Sequence, residues 1–269
     1  RVDRRQRQMC IRDRYWTFRK GQISDEETKQ TADHIAGLSQ YCSQKGSRFL
    51  YVQPPAKICK DDPEMPDGAE NYENQNYDAL LAELSGRGIS ALDLRTQIQK
   101  EKLDHYGMFY VTDHHWKVEG ALWASGEIAD RLNADFGFRL DSSTADEGIY
   151  RKKEYKDWFL GSAGRRVSLG CAKPEDFTIL LPKFKTSLQI RVPNMEINKT
   201  GSFEDVLYNK KILETKDYYN VSSYESQLYG NQALTQIRNE ENPDGPKILV
   251  LGDSFSPVSY THLTLPTIY

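Results

Sequence analysis

KILVLGDSF, residues 247–255, is a short unbroken apolar run that closes on a glycine, an aspartate and a serine. An apolar run of this length without polar alternation predicts a strand buried on both faces, as at the centre of a parallel sheet. In open α/β sheets, ligands bind beyond the carboxyl ends of the strands, so Ser254 is expected to turn its hydroxyl into a crevice. Gly252 permits a tight turn there, and the backbone N–H of Ser254 is a candidate donor to an oxyanion. By itself Gly-Asp-Ser is also a common turn tripeptide; the apolar run ahead of it is what favours a functional serine.

Upstream, the chain alternates helix and strand signals as a parallel sheet with covering helices requires. Ser24, Asp25 and Glu26 predict a helix N-terminus, Ile35, Leu38 and Cys42 fall near one face, and Gly46 stops it. Residues 48–53 (RFLYVQ) predict a strand closed by Pro54 and Pro55, followed by a polar loop over 57–74. Tyr77, Leu80, Leu81 and Leu84 predict a second helix ended by Gly86 and Gly88, and 89–94 a second short strand. Val118, Ala121, Leu122, Ser125, Ile128, Ala129 and Leu132 predict a further amphipathic helix. From about 138 to 242 the apolar runs at 177–181 and 188–192 are broken by Gly, Pro and Asn, which predicts an irregular or β-rich insertion.

The 269 residues suit one large domain or two small ones, and the net charge of -3 gives no reason to expect nucleic acid or an anionic membrane as partner. Three cysteines outside the chain ends, Cys42, Cys59 and Cys171, form no full disulfide set and sit in no catalytic motif. The ends themselves read differently. Residues 2–14, taken against 257–269 in reverse, pair at every position through reverse-complementary codons: Met9 (ATG) faces His262 (CAT) and Asp13 (GAC) faces Val258 (GTC). Such a pattern resembles translated sequencing-adapter DNA flanking a gene fragment, so 1–14 and 257–269 are set aside and 15–256 is taken as a partial domain. On that reading a leader segment and the segment after the serine are both missing, and the fragment is expected to fold poorly and be inactive.

A serine hydroxyl needs a base, and Thr112-Asp113-His114-His115-Trp116 supplies one. Asp113 can fix the tautomer of His115 if the segment turns or runs extended; in the extended case His114 points elsewhere. Adjacent loop histidines are also often merely solvated. With the serine, however, FYVTDHHWKVEGA resembles the signature of the DHHW family, related to bacterial alginate O-acetyltransferases and to SGNH hydrolase-like proteins. Residues 159–166 and Tyr229-Gly230-Asn231 also look like family segments, so the resemblance spans most of 48–256. It implies a three-layer α/β/α domain with a parallel sheet, and an order of Asp-His before Ser that reverses the common SGNH arrangement. It further implies Ser254 as nucleophile, His115 as general base and then acid, and Asp113 as the orienting carboxylate. Gly230 and Asn231 are then candidate oxyanion donors, unless they form a simple turn. Arg165 and Arg166 are candidates for binding an anionic polysaccharide, unless they are a solvated pair. Tyr110 and Trp116 are candidates for a sugar-stacking wall, although core packing is the better reading for Trp116.

The expected function is therefore transfer of an O-acetyl group to, or its removal from, a bacterial extracellular polysaccharide, without a cofactor. The partners are a polysaccharide acceptor, an acetyl donor and a membrane acetyl-transfer protein, and the parent protein is expected outside the cytoplasm, membrane-anchored. Two rivals remain open. A non-catalytic polysaccharide-binding or assembly protein would keep the same fold. A metal phosphoesterase would use Asp104, His105, Asp113, His114 and His115, but residues 48–57 lack the further aspartates such enzymes need.

Overall fold

Ser24 opens the first long helix by accepting a hydrogen bond from the Glu27 N–H, while the Glu27 carboxylate accepts from the Ser24 N–H. This reciprocal cap satisfies two of the donors that a helix start leaves open. In the computed structural model, which describes residues 20–62, 65 and 71–255 and the backbone of 8–11 and 15–18, the chain forms two compact units, divided after Gly107.

In the first unit the backbone of β1 (Gln8–Ile11) pairs antiparallel with β2 (Tyr15–Phe18), so part of the set-aside terminus is paired. The rest of 1–14, like 257–269, lies outside the described residues. Helix α1 (Asp25–Gln44) ends at Lys45, and Gly46 takes the left-handed conformation at φ 74°. Strand β3 (Tyr51–Gln53) pairs in parallel with β4 (Ala91–Asp93), the crossover being α2 (Glu73–Gly86). Both strands are shorter than the sequence pattern suggests: β3 ends at Pro54 as expected but begins only at Tyr51, and β4 begins at Ala91 and gives way directly to α3 (Leu94–Glu101). Leu84, Leu92, Leu94 and Ile98 form the buried side of these elements.

In the second unit α4 (Val118–Phe136) buries each of the seven positions that its periodicity marks, from Val118 to Leu132, and Gly137 terminates it at φ 70°. Antiparallel strands follow. β5 (Tyr150–Phe159) and β6 (Glu175–Pro182) form a hairpin whose register breaks between Tyr155 and Phe159, and α5 (Ser162–Val167) lies in their connection. β7 (Leu188–Val192) is flanked by β8 (Ile197–Gly201) and β9 (Gln236–Asn239). The short helices α6 (Phe203–Leu207) and α7 (Lys210–Leu213) follow β8, and α6 buries Phe203 and Val206. Phe177, Ile179, Leu188 and Ile190 alternate inward from the strands to make the core.

Residues 247–252 do not form the central strand expected of them. The segment is irregular, with Leu249 81% and Leu251 68% exposed. An apolar segment becomes a strand only where a neighbour takes up its backbone N–H and C=O groups. Among the described residues no strand pairs with it. It runs instead along an open groove of about 720 Å³ together with Leu228, Leu234 and Ile237.

Candidate active site

Residues 108–117 fold back on themselves. Phe109 and Trp116 face each other across a backbone bridge, with the Tyr110 N–H donating to the His115 carbonyl at 3.2 Å and the Lys117 N–H to the Met108 carbonyl at 2.7 Å. Trp116 and Phe109 are buried and anchor the two legs, and α4 begins immediately afterwards. The tip, 111–115, is a run of bends rather than an extended segment. It is held from two sides. The Glu175 carboxylate, at the start of β6, accepts from the Val111 N–H (2.6 Å), the Thr112 N–H (2.7 Å) and the Thr112 hydroxyl (2.5 Å). From the other side, the Gly161 N–H donates to Thr112 Oγ1 and the Gly164 N–H to the Thr112 carbonyl, each at 2.9 Å.

Asp113 follows Thr112 and is 2% exposed. Its Oδ1 accepts from the His115 backbone N–H at 3.0 Å and lies 2.5 Å from His115 Nδ1. Its Oδ2 accepts from the Ser162 N–H at 2.5 Å. Because a carboxylate only accepts, the proton of neutral His115 sits on Nδ1, which leaves Nε2 as a base. That nitrogen is 2.7 Å from Ser254 Oγ. Serine, imidazole and carboxylate are thus joined in one line of hydrogen bonds.

Burial by itself would raise the Asp113 carboxyl. The hydrogen bond with His115, the charges of His115 and His114 and the Ser162 N–H outweigh it and hold the group well below its ordinary value. A folded pKa below the unfolded one means that the ionised form stabilises the fold above about pH 4, and that this contribution is lost as pH falls further. Asp113→Asn removes the titration. The Tm difference between wild type and Asp113→Asn is therefore expected to be largest near pH 7 and to shrink below about pH 4. Thermal melts at both pH values check this; a difference that grows on acidification would contradict the assignment.

His114 does not point elsewhere. In the bent tip its ring centroid lies 3.8 Å from that of His115, and its Nδ1 is 3.3 Å from Asp113 Oδ1. Tyr224 stacks on His115 at 4.3 Å, with ring planes 23° apart. The His114 ring is tilted 37° to that of His115, so of the two neighbours only Tyr224 stacks on the imidazole. Phe255 closes an edge, 5.1 Å from the His115 ring and 5.6 Å from that of Trp116.

The remaining sequence candidates separate from this centre. Tyr110 is 2% exposed, packed 4.5 Å from the Phe159 ring and stacked on Phe177, and burial pushes its phenol well above the usual range. It is a core residue with no face free for a sugar, and Trp116 is equally buried. Gly230 takes φ 80° in a turn in which its N–H donates to the Gln227 carbonyl at 2.9 Å, so that N–H is not available to an oxyanion. Asn231 is exposed and lines the groove that Gly252 and Asp253 also border. Arg165 is half-buried, with Nη1 3.5 Å from the Tyr219 carbonyl, whereas Arg166 is exposed.

Asp113, His114 and His115 bring three possible metal-ligand atoms within 4.8 Å of one another. Both nitrogens of His115 are already committed, one to Asp113 and one to Ser254. Asp104 and His105, the other residues of the metal reading, make other contacts: the Gly107 N–H donates to Asp104, and His105 Nε2 lies 2.9 Å from the Ala56 carbonyl. Glu175 and Tyr224 carry no sequence signal of their roles. Only Gly161 and Gly164, within a run of small residues, hint at a close backbone approach.

Residues 13–172 match the family described as the SGNH hydrolase-like domain of the acetyltransferase AlgX. Among solved structures, the fold is similar to Bacillus cereus PatB1 at 19% identity and a TM-score of 0.74, over 97% of this chain and 86% of that one. It is also similar to a DHHW family protein from Eubacterium siraeum (14% identity, TM-score 0.59, 94% and 77% covered). The O-acetyltransferase domain of Pseudomonas putida AlgJ follows at 17% identity and a TM-score of 0.52, with 68% of each chain covered. At these identities the likeness speaks for the fold. No curated protein sequence matches. With the family match covering more than half of its length, and an α/β fold shared with these structures, the chain belongs to the SGNH hydrolase-like family of the acetyltransferase AlgX.

Proposed function

We propose that the protein transfers an O-acetyl group to a bacterial extracellular polysaccharide through an acyl-serine intermediate. The observation that carries this reading is His115, hydrogen-bonded to Asp113 through one ring nitrogen and to Ser254 through the other. As His115 Nε2 takes the hydroxyl proton, Ser254 Oγ attacks the carbonyl carbon of the donor ester. Collapse of the tetrahedral intermediate breaks the bond to the donor oxygen, and His115 returns the proton to that leaving group. A sugar hydroxyl, deprotonated by His115, then attacks the acyl-serine, and as the bond to Ser254 Oγ breaks His115 returns that proton to the serine. Water in place of the sugar would make the same centre an esterase. The Ser254 N–H, with Asn231 at the adjoining groove, is the candidate oxyanion donor. The acetyltransferase family supports a polysaccharide acceptor; delivery of the acetyl group by a membrane partner and a site of action outside the cytoplasm are part of the same proposal.

Incubating the intact parent protein with a small acetyl ester is expected to place acetyl on Ser254, seen by peptide mass spectrometry. Adding acceptor oligosaccharide should discharge it faster than water alone. An unmodified Ser254 in a cooperatively folded protein would overturn the reading in favour of a non-catalytic polysaccharide-binding role.

A further inference from the structure

We infer that Glu175 is the positioning residue of the Asp113–His115 pair, an assignment that rests on the acyl-serine reading above. The tip 111–115 belongs to no strand or helix. The Glu175 carboxylate takes the N–H groups of Val111 and Thr112, one on each oxygen, and takes the Thr112 hydroxyl as well. Because a carboxylate only accepts, the Thr112 hydroxyl must donate to Glu175, which leaves its lone pairs to the Gly161 N–H. Thr112 is 2% exposed and so has no water to replace these partners. Its next peptide bond leads into Asp113, whose own carboxylate is held by the Ser162 N–H. The Thr112 N–H, hydroxyl and carbonyl and the Asp113 Oδ2 thus end either on Glu175 or on the 161–164 turn.

Glu175 is itself fixed, since it opens β6 opposite Phe159, a residue 2% exposed at the end of β5. Besides its own backbone bridge, the tip thus takes its position from a packed hairpin. Negative charge and two acceptor oxygens are both needed. A glutamine of the same shape has one acceptor oxygen, and its NH₂ would face an N–H donor. Loosening the tip moves His115 relative to Ser254, and a displacement of about 1 Å can lower turnover on the order of 100-fold. Glu175 touches neither Ser254 nor His115 through any hydrogen bond described above, and it acts through Thr112.

The test measures acetylation of Ser254 in the intact protein by stopped-flow with a chromogenic acetyl ester, giving kcat and KM separately. Glu175→Gln is expected to lower kcat roughly 10- to 100-fold with KM within about threefold, in a protein that still melts cooperatively. Thr112→Val should reproduce the loss, and Thr112→Ser, which keeps the hydroxyl, should recover most of it. That recovery separates positioning from a loss of fold, and the Thr112 pair decides the matter if Glu175→Gln does not fold. Wild-type kcat in Glu175→Gln, or equal activities of the Thr112→Val and Thr112→Ser proteins, overturns the inference while leaving the acyl-serine reading intact. A wild-type protein that never acetylates Ser254 overturns that reading, and this assignment with it.

Discussion

Ser254→Ala is expected to lower kcat for acetyl transfer by about 10⁴- to 10⁶-fold, with His115→Ala nearly as damaging and the double variant no worse than either. The reason is that the two side chains act in one proton transfer. The Nε2 to Oγ contact of 2.7 Å has no function once either atom is gone. Steady-state rates on an acetyl ester, measured for the three variants, check this. Losses that multiply in the double variant would mean that the two residues act in separate steps, and the proton-transfer assignment would fall.

Gly161→Ala has the next largest expected effect, and it comes from space rather than from dihedral angles. Gly161 has φ −67°, a value any residue adopts. A Cβ there, however, would lie 2.3 Å from Asp113 Cβ and 2.4 Å from the Thr112 carbonyl oxygen. Neither neighbour is the movable end of a flexible side chain, so the turn and the tip must separate. Overpacking of this kind costs about 2–3 kcal/mol, which lowers Tm by roughly 4–12 °C in a domain of this size. Activity should fall further than stability does, on the order of 100-fold, because the Ser162 N–H is drawn away from Asp113 along with the turn. Gly37→Ala is the control. Gly37 is exposed within α1 with nothing within 4 Å of a new Cβ, and the change should stabilise by about 0.5–1 kcal/mol. Equal melting points for the two variants would contradict the steric argument.

Where local pattern and local chemistry agree, the sequence is legible. The cap at Ser24, the inward face of α4 and the span of β7 can all be read from neighbouring residues, because a 3.6- or 2-residue period and a capping side chain are local properties. Asp113, His115 and Ser254 are legible for another reason, since few residue types can perform nucleophile and base chemistry at all. The apolar run at 247–252 misleads because hydrophobicity calls for burial without saying where the backbone partner comes from. Tyr110 misleads in the opposite direction, since an aromatic beside a motif has the same letter whether it faces a sugar or Phe159. Glu175 and Tyr224 lie 64 and 109 positions, respectively, beyond the tip residues they touch, counting from Val111 (175 − 111) and from His115 (224 − 115). Only tertiary packing brings them there.

The hydrogen bond between His115 and Ser254 joins residues 139 positions apart, whereas Asp113 and His115 are separated by only two. During synthesis the base and its carboxylate leave the ribosome together. At about 5–20 residues per second the nucleophile follows roughly 7–28 s later. Until that long loop closes, the Ser254 hydroxyl is not beside the imidazole, so under the proposed mechanism a nascent or misfolded chain would not consume acyl donor. Covalent capture of Ser254 by an ester would therefore count only molecules in which the most distant contact of the site has formed, which makes the chemistry its own reporter of completed folding.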